Sequence, residues 1–207
     1  TNGPVGGVSY LPREETVKVC HVLQQDPNFF RLLLCIDRDL AGELKAGGCA
    51  CGGVLHCADY PRKPRGCLAE FRSQFESRWS FCCNRCRKRS TSMSVRFLGR
   101  RVYLAVAVVI ASAQRAGSSA PAAQLALALS VPVRTLERWR GWWRAQFPLT
   151  ALWRGAGGRF MPPVASGDLP ASLLARFAGT PAQSMRHFLM FLTPLTAARP
   201  ITMQEGR

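Results

Sequence analysis

The spacing of the cysteines constrains the fold of this chain more than any other feature of its sequence. Seven of the nine cysteines lie between residues 49 and 86, and they include a Cys-x-Cys pair at Cys49 and Cys51 and the run CCNRC at residues 82–86. Tetrahedral zinc needs four ligands, which lie about 2.3 Å away when they are thiolates. Two tight knuckles joined by a hairpin supply four sulfurs in little chain, so the pattern predicts a structural Zn²⁺ site.

The ligand assignment follows from knuckle spacing. In the second group, a Cys-x-x-Cys pair is the standard arrangement and leaves Cys82 as a strand residue. His56 and Cys57 are substitutes, although a lone His in a strand is usually a surface or packing residue. Four thiolates close the coordination sphere and no Glu lies within a few residues of them, which excludes a catalytic metal. The predicted ligands are Cys49, Cys51, Cys83 and Cys86, with Cys82 and His56 as alternates.

The glycines at Gly52 and Gly53 fit this interpretation, because the chain must turn after the second ligand and Gly tolerates the positive φ required. The two cysteines outside the cluster, Cys20 and Cys35, are predicted to be small core residues rather than ligands.

The compartment is predicted from what the chain lacks. Residues 1–12 have neither the charged start nor the apolar core of a secretory signal, and the most apolar run, residues 102–113, is 12 residues long. A membrane-spanning helix needs about 20. We therefore expect a cytoplasmic, nucleoid-associated bacterial protein without membrane contact, whose reduced cysteines bind metal.

Hydrophobic periodicity divides the chain into five segments and predicts a mainly α fold with a small β zinc ribbon. Residues 1–25 form a flexible segment, and residues 26–48 form a helix capped by Asp26, with Pro27 in its first turn and Gly47-Gly48 as its stop. The remaining segments are a zinc ribbon with a basic loop at 49–100, a three-helix helix-turn-helix at 101–148, and a C-terminal helical segment at 149–207.

Helical stripes predict which residues these segments bury. In the C-terminal segment, Asp168 and Thr180 are expected to begin the last two helices, which either complete the core or form a dimerisation surface. The stripe of the first helix is Phe29, Leu33, Ile36, Leu40 and Leu44, and that of the C-terminal helices is Leu173, Leu174, Phe177, Phe188, Leu189 and Leu192.

The net charge of +16 is concentrated in two regions. Residues 61–101 carry twelve bases against two acids, and residues 130–160 carry six arginines against one acid. Such a chain attracts polyanions because each neutralised phosphate releases a counterion; an arginine-rich protein from a GC-rich genome is the alternative. The first region is expected to contact DNA through a proline-rich loop, which is otherwise a solvated loop, and through the residues after the second knuckle. The candidates are Arg62, Lys63, Arg65, Arg87, Lys88 and Arg89.

The second basic region coincides with a predicted helix-turn-helix. Helices at 121–129 and 132–147 are joined by the short turn Ser130-Val131, and the apolar residues Val102, Leu104 and Val108 are expected to supply a supporting first helix. An ordinary three-helix core with solvated arginines is the alternative. The predicted inward stripe of the last helix is Leu136, Trp139, Trp143 and Phe147.

The polar residues of that last helix are expected to contact DNA. Arg134, Thr135 and Arg138 lie near its N-terminus and off the apolar stripe, where a recognition helix meets base edges in the major groove. Arg140 and Arg144 are better placed for phosphates.

This order of parts resembles a known family. A cysteine ribbon ending in CCNRCR, a linker SVRF at 94–97 and the helix VRTLERW at 133–139 are similar to the N-terminal DNA-binding region of bacterial insertion-sequence transposases. The resemblance covers residues 49–147 and implies recognition of an element's terminal repeats. In that family a separate domain with three metal-binding carboxylates cuts DNA. Here the only acids after Arg101 are Glu137, Asp168 and Glu205, so no such domain is predicted.

The sequence therefore predicts a non-catalytic, zinc-dependent binder of double-stranded DNA from a bacterial mobile element. Its expected partners are DNA and a separate transposase or integrase, and it is a candidate homodimer. An RNA- or ribosome-associated zinc ribbon is the alternative. A thiol oxidoreductase using Cys83 and Cys86 is disfavoured because no βαβ pattern surrounds the pair.

Overall fold

The computed structural model describes residue 23 and residues 26–67, 69–98, 104–113, 126–127 and 129–197 of the chain. Within these ranges the fold is mainly helical, with a small antiparallel sheet that carries a cysteine cluster. No helix of the described part is both long and apolar enough to cross a lipid bilayer.

The first helix, α1, spans Pro27–Ala46. The Asp26 side chain accepts a hydrogen bond of 2.9 Å from the backbone N–H of Asn28, which confirms the predicted cap. Gly47 follows the helix and Gly48 has φ of +67°, which confirms the predicted stop.

The buried face of α1 is rotated slightly from the predicted stripe. Phe29 and Leu33 are buried as expected, whereas the predicted Ile36, Leu40 and Leu44 are only half-buried. The face also contains Phe30, Asp37 and Ala41. Cys35 is exposed, so its predicted core position is wrong, because it lies on the side of the helix away from Leu33 and Asp37. The prediction for Cys20 lies outside the described residues.

Two small antiparallel sheets follow α1. Strands β1 (Leu55–Cys57), β4 (Ser80–Cys83) and β5 (Arg89–Thr91) form a three-stranded sheet in the order β1-β4-β5, which we call the cysteine sheet. Strands β2 (Tyr60–Pro61) and β3 (Ser77–Arg78) pair with each other. A 3₁₀ turn at Ala69–Phe71 and the short helix α2 (Arg72–Phe75) lie between β2 and β3. The strands predicted near residues 54–58 and 79–82 are thus confirmed.

Helix α3 (Ala105–Ala113) is the centre of the main core. Its residues from Ala105 to Ser112 are all buried, which confirms that the apolar run is a buried helix. Of the predicted supporting residues, Val108 on α3 and Leu104 just before it are buried, and Val102 lies outside the described residues.

Helix α4 (Val133–Gly141) follows a closed turn and packs on α3. The N–H of Val131 donates to the carbonyl of Ala126 at 2.8 Å, the N–H of Ser130 donates to that of Leu127 at 3.0 Å, and Ser130 has φ of +51°. This is a Schellman end, which stops one helix before the next begins.

Beyond α4 the chain continues as a π-helical turn at Trp142–Gln146 and a 3₁₀ turn at Phe147–Leu149. The predicted stripe is confirmed as buried: Leu136, Trp139, Trp143 and Phe147. Most of the helix predicted at 121–129 lies outside the described residues.

The C-terminal segment contains α5 (Ala151–Ala156), α6 (Ala171–Leu174) and α7 (Pro181–Leu192), with 3₁₀ turns at Gly157–Arg159, Ser166–Asp168 and Thr193–Leu195. Thr180 begins α7, as predicted, and forms a capping box with Gln183. The prediction for Asp168 is wrong, because this residue ends a 3₁₀ turn and α6 begins after Pro170.

The C-terminal helices share the core of the rest of the molecule. The rings of Trp143 and Phe188 stack with centroids 6.1 Å apart. The apolar residues predicted for these helices join the same core, which also contains Leu23 and Phe29. The segment thus completes the core, one of its two predicted roles.

Candidate metal centre and basic surface

Four cysteine sulfurs meet at one end of the cysteine sheet. The Sγ atoms of Cys49, Cys51, Cys83 and Cys86 all lie within 4.8 Å of one another. Three of the pairs, 49–51, 49–86 and 51–83, are 3.5 Å apart. A tetrahedron with arms of about 2.3 Å has edges of about 3.8 Å, so the sulfurs lie close enough together to hold one metal ion. They belong to the four cysteines that the sequence predicts as ligands.

The second knuckle is shaped by the end of β4. The backbone N–H groups of Arg85 and Cys86 donate to the Sγ atom of Cys83 at 3.3 and 3.5 Å. The donation from Cys86, with that from Arg85, lowers the pKa of the Cys83 thiol to about 6. The knuckle therefore favours the thiolate, which is the form that binds metal.

The first knuckle turns at Gly52, which has the predicted positive φ of +74°. The next glycine is needed for a different reason, since a Cβ atom on Gly53 would lie 2.5 Å from the Sγ atom of Cys83. Hydrogen bonds tie the two knuckles together: the Arg85 guanidinium donates to the Cys51 carbonyl at 3.0 Å, and the Val54 N–H donates to the Asn84 side chain at 3.0 Å.

The alternate ligands lie outside this cluster. Cys82 on β4 pairs with His56 on β1, and this pair is next to the pair of Cys83 and Leu55. Since side chains alternate along a strand, Cys83 points to the small buried core under the sheet, and its neighbour does not. Cys57 is exposed on β1.

The chemistry of the donor set fits a closed structural site. Four thiolates in a tetrahedral arrangement are the ligands of structural zinc, and iron also accepts them. Cys83 is fully buried and the other three are half-buried, so protein surrounds most of the cluster.

The basic residues predicted in the cysteine-rich region lie at the surface. Arg62 is half-buried, and the others are exposed: Lys63, Arg65, Arg87, Lys88 and Arg89. The ring of Tyr60 links the two groups, because the Arg62 guanidinium lies 4.4 Å and the Arg89 guanidinium 5.8 Å from its centroid.

Two arginines of the same region are internal. Arg78 and Arg96 are 1% and 0% exposed and surround the buried carboxylate of Asp37. Burial lowers the pKa of Arg78, although Asp37 and Tyr60 counteract it. Part of the positive charge counted in residues 61–101 is therefore buried inside the molecule and is not available to a ligand.

Helix α4 and the π-helical turn that follows it present basic side chains to solvent. Arg134, Arg138 and Arg144 are exposed and Arg140 is half-buried; burial, with the neighbouring Arg144, lowers the Arg140 pKa. Thr135 is only 6% exposed, so its side chain is not available at this face.

The basic loop and the helical part meet at Gly66. A Cβ atom there would lie 2.6 Å from the Cβ atom of Ala107 on α3 and 3.3 Å from the Cδ2 atom of Leu129, just before the turn into α4. The loop that carries Arg62, Lys63 and Arg65 therefore lies beside the turn that leads into α4.

Two residues of these sites were not singled out from the sequence: Asp37 and Tyr60. Gly53 was predicted as a turn residue, and its close approach to the Cys83 sulfur was not expected. Comparison with models of protein families, with curated proteins and with solved structures finds no match to this chain.

Proposed function

We propose that the protein is a non-catalytic, zinc-dependent binder of double-stranded DNA. The observation that carries the proposal is the packing of Gly66 against Ala107 and Leu129. Because of this packing, the basic loop with Arg62, Lys63 and Arg65 lies beside the start of α4, whose exposed face carries Arg134 and Arg138.

The two basic elements have different roles in this proposal. Arg62, Lys63 and Arg65 contact phosphates, which supply affinity without sequence information. Arg134 and Arg138 lie one turn apart on the exposed face of α4, after a closed turn of the kind found between the helices of a helix-turn-helix. In such a motif they read base edges in the major groove, where arginine pairs with guanine through two hydrogen bonds.

The metal has a structural role. Zinc bound by the four cysteines holds both ends of the segment between the knuckles, which includes the basic loop, so binding of DNA depends on it. The resemblance to the DNA-binding region of insertion-sequence transposases supports a mobile-element context in bacteria. A transposase or integrase gene beside this one would test that context.

The DNA proposal is tested with the zinc-loaded full chain and a labelled random duplex, by anisotropy over a range of salt. Removing the loop charges as Arg62→Ala, Lys63→Ala and Arg65→Ala should reduce the slope of log K against log salt by about 2 to 3. The matched control removes three exposed bases elsewhere, Arg38→Ala, Lys45→Ala and Arg154→Ala, and should change the slope little.

Three outcomes would contradict the proposal. If the control triple variant showed an equal reduction of the salt slope, the effect would come from net charge and not from the position of the loop. Preference for an RNA competitor over the duplex would favour the RNA-associated alternative. Undiminished binding by the metal-free Cys83→Ser, Cys86→Ser variant would remove the zinc requirement. Selection of bound sequences from the pool, repeated with Arg138→Ala, tests the base-reading role of α4, because that substitution should relax the preference at one position.

A further inference from the structure

The two guanidinium groups beside Tyr60 are a further feature that needs an explanation. Arg62 follows β2 and Arg89 begins β5, so residues distant in sequence converge on one ring. Like charges repel, and their assembly on one aromatic ring is offset only in part by cation–π attraction.

No carboxylate of the described residues forms an ion pair with either guanidinium. The Nε atom of Arg62 is moreover buried without a hydrogen-bond partner. A buried donor of this kind is costly unless something accepts from it. The buried Nε atom itself is out of reach of an external group, but Arg62 is only half-buried and Arg89 is exposed, so these two charges without an ion pair are open to an anion from outside the chain.

The surroundings select the chemistry of that anion. Planar guanidinium groups bind phosphate oxygens through pairs of hydrogen bonds. A stacked nucleobase is disfavoured here because a guanidinium, at 4.4 Å, already lies over the Tyr60 ring. Lys88 and Arg87 next to Arg89 are exposed and add positive charge around it.

We infer that Arg62 and Arg89, aligned by the ring of Tyr60, form a clamp for one phosphate group of a nucleic-acid backbone. Tyr60 is the positioning residue and the two arginines are the contacts. That the phosphate belongs to a nucleic acid rests on the proposed function. The clamp itself recognises a phosphate group of any origin.

The test combines a small probe with DNA. Inorganic phosphate is titrated into the zinc-loaded full chain while the Nε–Hε resonances of its arginines are followed by NMR. The Arg62 and Arg89 resonances should shift together and saturate at one dissociation constant, with exposed Arg38 as the internal control. In Tyr60→Leu the joint shift should disappear, and the slope of log K against log salt for duplex DNA should fall by about 1 to 2.

Two further variants keep the test interpretable. Tyr60→Phe keeps the ring and should retain the shift and most of the DNA affinity. The double variant Arg62→Lys, Arg89→Lys keeps the charge but loses the planar groups. It should bind duplex DNA more weakly than the wild type at a nearly unchanged salt slope, and it tests the clamp even if Tyr60→Leu folds poorly. Zinc content and thermal unfolding identify a misfolded variant.

The outcomes separate the two proposals. Equal DNA binding by Tyr60→Leu and Tyr60→Phe, or full binding by the lysine variant, would overturn the clamp and leave DNA binding standing. A joint phosphate shift in a chain that binds no duplex would support the clamp and overturn the proposed function. Independent shifts of every exposed arginine, Arg38 included, would mean general anion screening and would overturn the clamp.

Discussion

The Nε atom of Arg96 lies 2.7 Å from the Oδ2 atom of Asp37, and both side chains are completely buried. The carboxylate also accepts hydrogen bonds from the Ser94 hydroxyl and from the N–H of Val95. The Arg96 guanidinium donates to the carbonyls of Gln74 and Ser77 at 3.1 and 3.2 Å.

This ion pair joins several elements that are distant in the chain. Asp37 lies on α1, and the carbonyls that accept from Arg96 belong to Gln74 on α2 and Ser77 in β3. The carbonyl of Arg96 itself accepts from the N–H of Ala105 at the start of α3. Arg78, from β3, reaches the same carboxylate and the carbonyl of Thr196. One buried carboxylate therefore sets the position of α1, β3 and the central helix together.

Removing the carboxylate should be severely destabilising. In Asp37→Ala, Arg96 would be left as a buried charge without its partner, which costs about 3–5 kcal/mol. The free energy of unfolding from denaturant titration measures this loss. Asp39→Ala, an exposed position on the same helix, is the control and should stay within about 0.5 kcal/mol of the wild type. A loss below about 1 kcal/mol in Asp37→Ala would show that the pair is not needed for stability.

Local signals in the sequence predicted the elements that depend on neighbouring residues. The cap at Asp26, the helix start at Thr180 and the knuckle pair Cys83 and Cys86 all involve residues a few positions apart, so their spacing carries the information. Asp37 differs, because its partner Arg96 is 59 positions away. A charged residue on a helix is usually solvated, and nothing near Asp37 in the sequence indicates its burial.

The same limit applies to the basic surface. Counting charges treats Arg78 and Arg96 as equal to Arg62 and Lys63, although the first two are internal. Which arginine faces solvent depends on packing between segments that are distant in the chain. The site of Tyr60 was missed for that reason, since its ring brings Arg62 and Arg89 together only in the folded protein.

The close approach at Gly53 predicts that a single methyl group impairs metal binding. In Gly53→Ala the new Cβ atom would lie 2.5 Å from the Cys83 sulfur and 2.8 Å from the Cβ atom of Arg85, so the two knuckles must separate. Zinc content by elemental analysis should fall below one ion per chain after dialysis against a weak chelator. Gly42→Ala is the control, since open space surrounds that position on α1, and it should retain zinc. Full zinc retention in Gly53→Ala would contradict the geometry of the site.

The thiol of Cys67 should be resistant to alkylation. Burial raises its pKa to about 12, although the charges of Arg72 and Arg96 oppose the shift, and only the thiolate reacts. Because its folded-state pKa lies above the ordinary value of 9.0, the folded protein should lose stability as the pH rises from about 9 towards 12. In native protein at pH 8, iodoacetamide should label the exposed Cys35 and Cys57 first, as peptide mass spectrometry can measure. Labelling of Cys67 at the same rate would show that its thiol is neither buried nor raised in pKa.

A methyl group at Gly66 should separate the basic loop from the helices. Gly66 has φ of +77°, which strains any other residue, and its Cβ atom would lie 2.6 Å from that of Ala107 on the buried helix α3. Strain and overpacking together should cost Gly66→Ala about 2–4 kcal/mol of unfolding free energy. Gly48→Ala, where φ is +67° and no atom lies closer than 3.9 Å, isolates the strain alone and should cost less. If one rigid surface binds DNA, the folded Gly66→Ala protein should also bind duplex DNA as weakly as the variant that lacks the three loop bases. Wild-type DNA affinity in that variant would show that the loop and α4 act independently.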